Sequence, residues 1–433
     1  MRLALLIIAL AASPAAAADR WPGFRGPTGD GVSDAKNPPT TWSEKQNVLW
    51  KMPVHGKGWS SPVVADGKVW VTTADEVRGN EKVKVPTTGG PNKGPTKHVS
   101  FFAVCHDLAT GKVVHDLKLG EETDPAFCHD FNSYASPTPA LDDGKVFAHF
   151  GSHGTWCLDA ATGKVLWERR DLKCDHFRGA GSSPLVYQGW VFLIFDGFDQ
   201  QYVVALDKTT GSTVWKQDRR IRYTTDNGDL KKAYATPRVL TVNGKAQLVC
   251  PSAEATIAYD PKDGAEVWRF HHLKKGTMNV AAPPVAGFGL TYLVSGYPGQ
   301  LMALKSDVTG TPSKGAVAWD FDKNVPTRPS LLLVNDLLFM VSDGGVVTGL
   351  DAKTGKERYT ERLNGQYTAS PVAAGGFIYL CNEAGKTTVI RAGGEYEVVA
   401  TNTLDAGFMA SPALVGDTLI LRSKTHLYAI GKK

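Results

Sequence analysis

Short apolar runs alternate with tight turns along nearly the whole chain. Runs such as residues 69–72 and 191–194 are rich in β-branched and aromatic side chains, which is typical of strands. Pairs such as Asp66-Gly67 and Asn243-Gly244 separate them and accept the positive φ of a two-residue hairpin turn. A surplus of Gly and Pro likewise favours turns over long helices. The pattern predicts an all-β protein of short antiparallel strands.

A tripeptide rich in serine, alanine or threonine and ending in proline recurs along the chain. After a first interval of about 75 residues, the spacing is about 41 to 53 residues. A repeat of this length is typical of a β-propeller, in which each repeat forms one blade. The eight tripeptides, which we call anchors, are Ser60-Ser61-Pro62, Ala135-Ser136-Pro137, Ser182-Ser183-Pro184, Ala235-Thr236-Pro237, Ala282-Pro283-Pro284, Thr327-Arg328-Pro329, Ala369-Ser370-Pro371 and Ala410-Ser411-Pro412.

Each repeat also carries an aspartate, a Thr-Gly or Asp-Gly turn and an aromatic residue in its predicted fourth strand. Asp159, Gly163 and Trp167 show the spacing. The last repeat ends near Ile430 without a fourth strand, and residues 47–50, with Trp50, can supply it. Pairing the two chain ends in this way removes an open sheet edge. The sequence therefore predicts one domain over residues 19–433, an eight-bladed β-propeller of four-stranded antiparallel blades closed by the N-terminal strand.

The Asp-x-x-Thr-Gly-x-x-x-Trp repeat resembles that of the pyrroloquinoline quinone (PQQ) dehydrogenases. It is also similar to the repeat of non-enzymatic relatives, such as the propeller lipoprotein of the outer-membrane barrel-assembly machine. Residues 21–27 and 132–137 resemble exported bacterial proteins described as PQQ-binding-like β-propeller repeat proteins. The resemblance covers nearly all of the mature chain and implies the propeller fold. It leaves the chemistry open, because one fold hosts many functions.

The repeated aromatic and aspartate residues are interpreted as structural. A position that is aromatic in most blades fits packing between neighbouring blades better than a binding surface. An aspartate before a Thr-Gly turn usually accepts hydrogen bonds from turn amides. Cys105 and Cys157 occupy a small buried position, and Cys250 and Cys381 lie in second strands, so we expect four inert thiols. The predicted blade-docking residues are Trp50, Trp167, Trp215, Trp268, Trp319 and Tyr359.

Loop length points to one functional face. Connections in a four-stranded antiparallel blade alternate between two faces. The first-to-second and third-to-fourth turns are tight and share what we call the turn face. The second-to-third and blade-to-blade connections vary in length and share the loop face, with a long second-to-third loop predicted over residues 76–99. Variable loops on a rigid scaffold commonly carry function, so we expect a binding surface on the loop face.

Two neighbouring blade-to-blade loops carry a dense polar cluster, residues 128–130 and 174–178. Cys128, His129, Cys174 and His176 could bind zinc, although their spacing matches no standard zinc signature. A Cys128–Cys174 disulfide between equivalent loops is the interpretation that we favour for an exported protein. Further candidates for binding on the loop face are His55, Asp130, Asp175, Arg178, Tyr223, His271 and Arg328.

The first residues have the pattern of a secretion signal. Arg2, the apolar run 3–12 and the small residues 16–18 predict export, with cleavage near Ala18. We expect a periplasmic or secreted monomer without a transmembrane segment. A net charge of +5 over 433 residues gives no reason to expect a nucleic-acid partner.

Two functions remain open at this point. One is a non-catalytic scaffold that binds a protein or cell-envelope partner through its loop face. The other is a PQQ-dependent dehydrogenase, for which the resemblance implies a quinone held over Ca²⁺ and, in many members, an adjacent Cys-Cys pair. The chain has no Cys-Cys pair, is shorter than such enzymes usually are, and shows no evident Ca²⁺ ligand set. We therefore favour the scaffold and predict no catalytic residue and no cofactor.

Overall fold

The computed structural model describes residues 20–79 and 95–432. In this part of the chain, strands form eight four-stranded antiparallel sheets. The three 3-10 helices of the described segments are single turns, Gly151–His153, Gly228–Leu230 and Lys314–Ala316. None of the described helices could span a bilayer. The predicted all-β, eight-bladed propeller is confirmed, and the predicted signal segment, residues 1–18, lies outside the described residues.

The strands of each blade run outward from a central channel. First strands of neighbouring blades contact one another, so they surround the channel. The first strand of the chain, β1 (Val48–Pro53), completes blade 8. Blades 1 to 4 follow in chain order: blade 1 has β2 (Val63–Ala65), β3 (Lys68–Arg78), β4 (Thr96–Asp107) and β5 (Val113–Thr123); blade 2 has β6 (Ala140–Asp142), β7 (Lys145–His149), β8 (Thr155–Asp159) and β9 (Val165–Arg169); blade 3 has β10 (Leu185–Tyr187), β11 (Trp190–Asp196), β12 (Gln201–Asp207) and β13 (Thr213–Asp218); and blade 4 has β14 (Arg238–Val242), β15 (Lys245–Pro251), β16 (Ala255–Tyr259) and β17 (Glu266–His271). The remaining blades are blade 5, with β18 (Val285–Gly287), β19 (Leu290–Val294), β20 (Leu301–Lys305) and β21 (Val317–Phe321); blade 6, with β22 (Leu332–Val334), β23 (Leu337–Val341), β24 (Val346–Asp351) and β25 (Glu357–Arg362); blade 7, with β26 (Val372–Ala374), β27 (Phe377–Cys381), β28 (Lys386–Arg391) and β29 (Val398–Thr403); and blade 8, with β30 (Ala413–Val415), β31 (Thr418–Arg422) and β32 (His426–Ile430).

The two ends of the chain close the ring. Strand β1 pairs antiparallel with β32, and the sheet order in blade 8 is β1-β32-β31-β30. Trp50 lies opposite Ala429 and Lys51 opposite Tyr428. The predicted closure by the N-terminal strand is confirmed.

The predicted anchor of blade 2 lies two residues too early. Strand β6 begins at Ala140, directly after Pro139 rather than Pro137. Two similar dipeptides follow one another here, and the second, Thr138-Pro139, occupies the repeat position. The hydroxyl of Ser136 instead donates to the side chain of Asn132, at 2.5 Å.

Blade 6 shows the same two-residue shift. Strand β22 begins at Leu332, so Ser330 and Leu331 take the place of a Ser-Pro pair. The predicted anchor Pro329 precedes that position. A leucine at the proline position explains why the sequence pattern selected the wrong tripeptide.

The insertion in blade 1 is partly strand, which corrects the predicted loop over residues 76–99. Strands β3 and β4 continue into it, and Val77 lies opposite His98. Residues 80–94 lie outside the described part of the chain. Blade 1 therefore has longer second, third and fourth strands than the other blades.

The repeated aspartate holds its own turn. Asp159 Oδ1 accepts hydrogen bonds from the backbone N–H and the hydroxyl of Thr162, both at 2.8 Å. These bonds lower the pKa of Asp159 below its ordinary value, because they stabilise the carboxylate. Asp107, Asp207 and Asp351 make the same bonds to a threonine three residues later.

The repeated tryptophan docks each blade on the next. Four indoles donate a hydrogen bond to a carbonyl in the neighbouring blade, Trp50 to Leu108, Trp167 to Lys208, Trp215 to Pro261 and Trp319 to Ala352. The turn glycine of that neighbouring blade packs on the indole, and a Cβ at Gly211 would lie 2.7 Å from Trp167.

Two positions in the docking series differ from the rest. Trp268 donates to Gln247 of its own blade, at 2.8 Å, because blade 5 has a longer turn where the neighbouring carbonyl would lie. Tyr359 packs its ring on Tyr396, with the ring centres 5.7 Å apart.

Candidate functional site

Serine and threonine side chains of successive blades form a ring of hydrogen bonds around the channel. Each hydroxyl accepts the backbone N–H of the equivalent residue in the preceding blade. We call these residues the hydroxyl ring. The bonds are 2.9 to 3.1 Å long. In each of the following pairs the backbone N–H of the first residue donates to the hydroxyl of the second: Ser330 and Ser370, Ser370 and Ser411, Ser411 and Ser61, Ser61 and Thr138, Thr138 and Ser183, and Ser183 and Thr236.

The hydroxyl ring is interrupted in blade 5. Pro283 holds the equivalent position and has neither a hydroxyl nor a backbone N–H. The hydroxyl of Ser330, left without a donor from blade 5, accepts from the hydroxyl of Ser370, at 2.8 Å.

The N-terminal segment fills the channel at the level of the first strands. Trp21 exchanges two 2.8 Å backbone hydrogen bonds with Val64 of β2, and the carbonyl of Gly31 accepts from Ala373 of β26, at 2.9 Å. Arg25 is 3% exposed and donates to the carbonyl of Pro371, at 2.6 Å. The channel is therefore occupied by the protein's own chain and is not a through-pore.

A cavity of about 760 Å³ lies at the mouth of the channel on the loop face. Hydroxyl-ring residues line it, together with blade-to-blade loops and Phe24 of the N-terminal segment. This volume is within the range of small-molecule sites, about 300–1,000 Å³. The lining also has aromatic side chains, amides and a few charged groups: Trp59, Phe131, Tyr234, Tyr297, Asn132, Asn279, Asn324, Arg178, Lys274, Arg328, Asp322 and Asp343.

One contact joins opposite sides of the mouth. Phe131 belongs to the loop between blades 1 and 2, and Arg328 belongs to the loop between blades 5 and 6, half a ring away. The Arg328 guanidinium lies over the Phe131 ring, 4.4 Å from its centre. Asp343 accepts from Arg328 Nε at 2.5 Å and holds the guanidinium there.

Arg178 is held by a partly buried network beside the cavity. Its guanidinium donates two hydrogen bonds to the carboxylate of Asp229, at 2.6 and 3.1 Å. Burial opposes the charge on Asp229, but hydrogen bonds from Arg178 and Lys232 outweigh it and lower the pKa of Asp229. Burial lowers the pKa of Lys232 to about 8. Its ammonium donates to the hydroxyl of Tyr234, at 2.8 Å.

A group of phenylalanines lies beside the mouth on the loop face. The rings of Phe177 and Phe198 have their centres 5.2 Å apart, and those of Phe127 and Phe177 are 6.3 Å apart. Phe127 and Phe198 are each 37% exposed. We call Phe127, Phe177 and Phe198 the aromatic ledge.

Known proteins with similar sequences establish the family. A family model described as outer membrane protein assembly factor BamB matches residues 102–254 and 252–368, more than half of the chain. The chain belongs to this family. The predicted resemblance to PQQ-like propeller proteins is thereby confirmed.

Curated relatives of this BamB-family chain include enzymes. It is 24% identical over 258 residues to tetrathionate hydrolase from Acidithiobacillus ferrooxidans, a match covering 57% of this chain and 49% of the relative. It is 29% identical over 194 residues to 1-butanol dehydrogenase (quinone) from Thauera butanivorans, covering 43% of this chain and 27% of the relative. The chain thus spans half or less of the length of these relatives.

Solved structures share the fold at low identity. BamB from Moraxella catarrhalis is 14% identical with a TM-score of 0.56, over 76% of this chain and 93% of that chain. Quinohemoprotein alcohol dehydrogenase from Comamonas testosteroni is 12% identical with a TM-score of 0.64, over 96% of this chain and 81% of that chain. The fold is therefore common to a BamB protein and to an enzyme.

The expected Cys128–Cys174 disulfide is not formed, because both residues are free thiols. Cys128 packs in the apolar cluster between blades 1 and 2, whereas Cys174 packs in the cluster between blades 2 and 3. The two loops are in contact, because the backbone N–H of His129 donates to the carbonyl of Arg178 at 3.3 Å, but their thiols lie in different clusters. Burial raises the pKa of both thiols, that of Cys128 to about 12. The other four cysteines are also buried and free.

The alternative zinc cluster is not assembled either. His129 lines the cavity, while His176 is buried beside Ser152 and accepts its backbone N–H at 3.2 Å. In residues 20–79 and 95–432, no three His, Cys, Asp or Glu side chains converge as a metal site.

Of the seven loop-face candidates, the structure brings Arg178 and Arg328 to the cavity. The other five do not line it. Asp130 pairs with Arg78, at 2.9 Å, and the Tyr223 hydroxyl donates to the carbonyl of Lys231. The remaining three are His55, Asp175 and His271.

His55 lies between two carboxylates in blade 1. Its ring nitrogens are 3.0 Å from Asp75 and 3.1 Å from Asp116. Burial opposes protonation, but these two hydrogen bonds outweigh it and raise the pKa of His55.

Sequence reasoning missed several lining residues. Phe24 belongs to the segment 21–27 that the resemblance singled out, and Trp59 directly precedes the first anchor, so both had a local signal. Lys274, Asn279 and Tyr297 lie in loops of ordinary composition. Only the closure of the ring brings these residues to one cavity.

Proposed function

We propose that the protein is an exported, non-catalytic propeller that binds a protein partner through its loop face. The observation that carries this proposal is the distribution of exposed aromatic side chains. Four of the five exposed aromatic side chains in the described residues, Phe127, Phe131, Phe198 and Tyr297, are 37 to 61% exposed and lie in loop-face connections; the fifth, Phe288, lies in a first-to-second turn. Aromatic residues are enriched at protein interfaces, where they supply large contact areas.

Most of the exposed aliphatic side chains in the described residues are distributed differently. Val113, Val165, Val214 and Val398 are 42 to 55% exposed and lie in fourth strands, at the outer rim of the propeller. Scattered single apolar residues of this kind are common on protein surfaces. The BamB family model supports a protein partner, and the N-terminal signal pattern supports export.

Replacing both Phe127 and Phe198 by serine is expected to reduce partner retention at least tenfold. Each substitution removes an exposed ring from the aromatic ledge, and truncation of an interface hot spot commonly costs about 2 kcal/mol or more. The measurement is quantitative affinity capture from envelope extract, with the captured proteins identified by mass spectrometry and their binding confirmed with purified partner.

A matched control replaces Val165 and Val214 by serine. These side chains are 42% and 45% exposed, but they lie on the outer rim. The control is expected to retain the partner as the unmodified protein does. Equal losses in the two variants, or no loss in the ledge variant, would contradict the proposal.

A second candidate function is a quinone-dependent dehydrogenase. It is favoured by the names of several curated relatives and by the position of the cavity at the channel mouth. The described residues fit a PQQ–Ca²⁺ pair poorly, because each lysine or arginine of the lining lies within 4.0 Å of a carboxylate. A tricarboxylate quinone would need cations that are not already neutralised.

Incubation with PQQ and Ca²⁺ is therefore expected to give no substrate-dependent reduction of a redox dye with alcohols or sugars. The quinone absorption spectrum should also stay that of free PQQ when the protein is added. A known PQQ dehydrogenase reconstituted in parallel provides the positive control. Turnover above the protein-free rate, or a perturbed quinone spectrum, would favour the enzyme.

A further inference from the structure

The cavity at the channel mouth has a polar lining that the proposed protein-binding function does not use. That function relies on exposed aromatic rings of the loops, and two of these, Phe131 and Tyr297, also line the cavity. The cavity extends from the Phe131–Arg328 contact to the hydroxyl ring, because residues of both line it. Its lining contains ten serine or threonine residues and three asparagines, a composition that favours a hydrogen-bonding ligand.

The hydroxyl ring leaves donors available for a ligand. A serine or threonine hydroxyl has one donor and two acceptor positions, and each ring bond uses one acceptor position. Within the described residues, the O–H groups of Ser61, Thr138, Ser183, Thr236 and Ser411 have no paired acceptor. A ring of hydroxyls that can both donate and accept suits a ligand with the same property.

Asn279 supplies an acceptor without a partner. Its Oδ1 atom is buried and makes no hydrogen bond, although the side chain belongs to the cavity lining. An amide oxygen buried in this state costs free energy unless it is bonded. A rotation of the side chain that turns this oxygen into the cavity would let a ligand hydroxyl satisfy it.

The charges of the lining are largely compensated. Arg178 pairs with Asp229 at 2.6 Å, and Arg328 pairs with Asp343 at 2.5 Å. Lys274 lies 4.0 Å from Asp322. A charged ligand would bind weakly to such a lining, because it would lose its hydration without meeting an unpaired opposite charge. The lining therefore favours a neutral ligand.

Aromatic rings complete the site. Trp59, Phe131 and Tyr297 lie in different connections around the mouth, and the Trp59 indole donates to the carbonyl of Phe131 at 3.0 Å. Such rings provide flat apolar surfaces beside the polar groups. Pyranose rings have both features, C–H faces that pack on aromatic rings and hydroxyls that donate and accept.

We propose that this cavity binds the end of a short, neutral oligosaccharide. The hydroxyl ring and Asn279 bond the sugar hydroxyls, and Trp59 packs against a sugar face. The residues of the aromatic ledge do not line this cavity, whereas Phe131 and Tyr297 belong both to the cavity and to the exposed aromatic set.

The test is titration of the purified protein with three neutral trisaccharides: maltotriose, cellotriose and tri-N-acetylchitotriose. Calorimetry and tryptophan fluorescence both report binding, the latter because Trp59 lines the cavity. At least one probe is expected to bind with a dissociation constant below about 1 mM. Trp59→Ala and Asn279→Gly should each weaken that binding at least tenfold.

The two variants probe the site in different ways. Asn279 has a φ of 63°, and glycine keeps that conformation while removing the amide. Trp190→Ala is the matched control, because Trp190 begins β11 at the turn face, away from the cavity. It should bind the probe as the unmodified protein does, and thermal melts should show that all three variants are folded.

Three results would overturn the proposal. One is the absence of heat and fluorescence changes with every neutral probe up to about 10 mM. Another is binding that survives both cavity substitutions. The third is tighter binding of trigalacturonate or PQQ than of any neutral sugar, which would assign the cavity to an anionic ligand. Partner capture in the presence of saturating sugar distinguishes this site from the proposed protein-binding surface.

Discussion

A chain lacking residues 19–54 is expected to aggregate rather than fold as a ring of seven complete blades and one three-stranded blade. The deletion removes β1, the strand that pairs with β32 in blade 8. It also removes Trp50, which is 6% exposed and donates to the carbonyl of Leu108 at 2.8 Å. Loss of a buried tryptophan alone commonly costs about 3–5 kcal/mol, against a total stability of about 5–15 kcal/mol. The unpaired edge of β32 would add a site for aggregation.

Size-exclusion chromatography and thermal melts of the mature chain and the deletion measure this effect. A matched control deletes only residues 19–24 and leaves β1 in place. It removes Trp21, so we expect a lower melting temperature but a monomeric, folded protein. A 19–54 deletion that stays monomeric and melts like the mature chain would show that closure by β1 is dispensable.

The protein is expected to lose about 4 kcal/mol of stability between pH 7.5 and pH 5.5 through three buried histidines. Burial lowers the pKa of His149, His176 and His272 to about 3 each. In the unfolded chain the same side chains have a pKa of about 6.5, so at pH 5.5 protons bind the unfolded state alone. Each histidine then favours unfolding by about 1.4 kcal/mol, and the stability is regained as the pH rises above 6.5.

His55 has the opposite pH dependence. Its pKa is raised in the folded state, so its contribution is present below the unfolded pKa and is lost as the pH rises through the folded pKa. The His55 side chain is 35% exposed, and solvent screening keeps this opposing contribution small. The carboxylates change little over this pH range, because their ordinary pKa values are near 4.

Urea unfolding at pH 7.5 and at pH 5.5 measures the acid effect. Replacing His272 by glutamine should reduce the pH-dependent difference, whatever it does to stability at pH 7.5. Trp190→Ala, which removes no titratable group, provides the control and should leave the difference unchanged. Equal or greater stability at pH 5.5 in the unmodified protein would rule out neutral buried histidines as the main pH-dependent groups.

The candidate site was only partly predictable from the sequence. Loop length indicated the face on which the cavity lies, and Arg178 and Arg328 were among the residues selected there. The proposed Cys128–Cys174 pairing failed because a repeat shows that two positions are equivalent, not that they are close. Equivalent positions in a propeller are separated by the width of a blade, and the two thiols pack in different interblade clusters.

The sequence by itself determined the number of blades, the order of strands within them and the closure of the ring by an N-terminal strand, predicted over residues 47–50 and observed as β1. These features depend on local patterns, namely turn pairs, alternating strands and an aspartate that bonds its own turn, and such patterns repeat with the blade. Only the tertiary structure decided how the channel is filled and what lines the cavity. Arg25 donates a hydrogen bond to the carbonyl of Pro371, and Arg328 contacts Phe131 across the mouth of the channel. Both contacts join segments that lie far apart in the chain. No repeat period specifies such contacts, because they depend on the closed ring and on loops that differ from blade to blade.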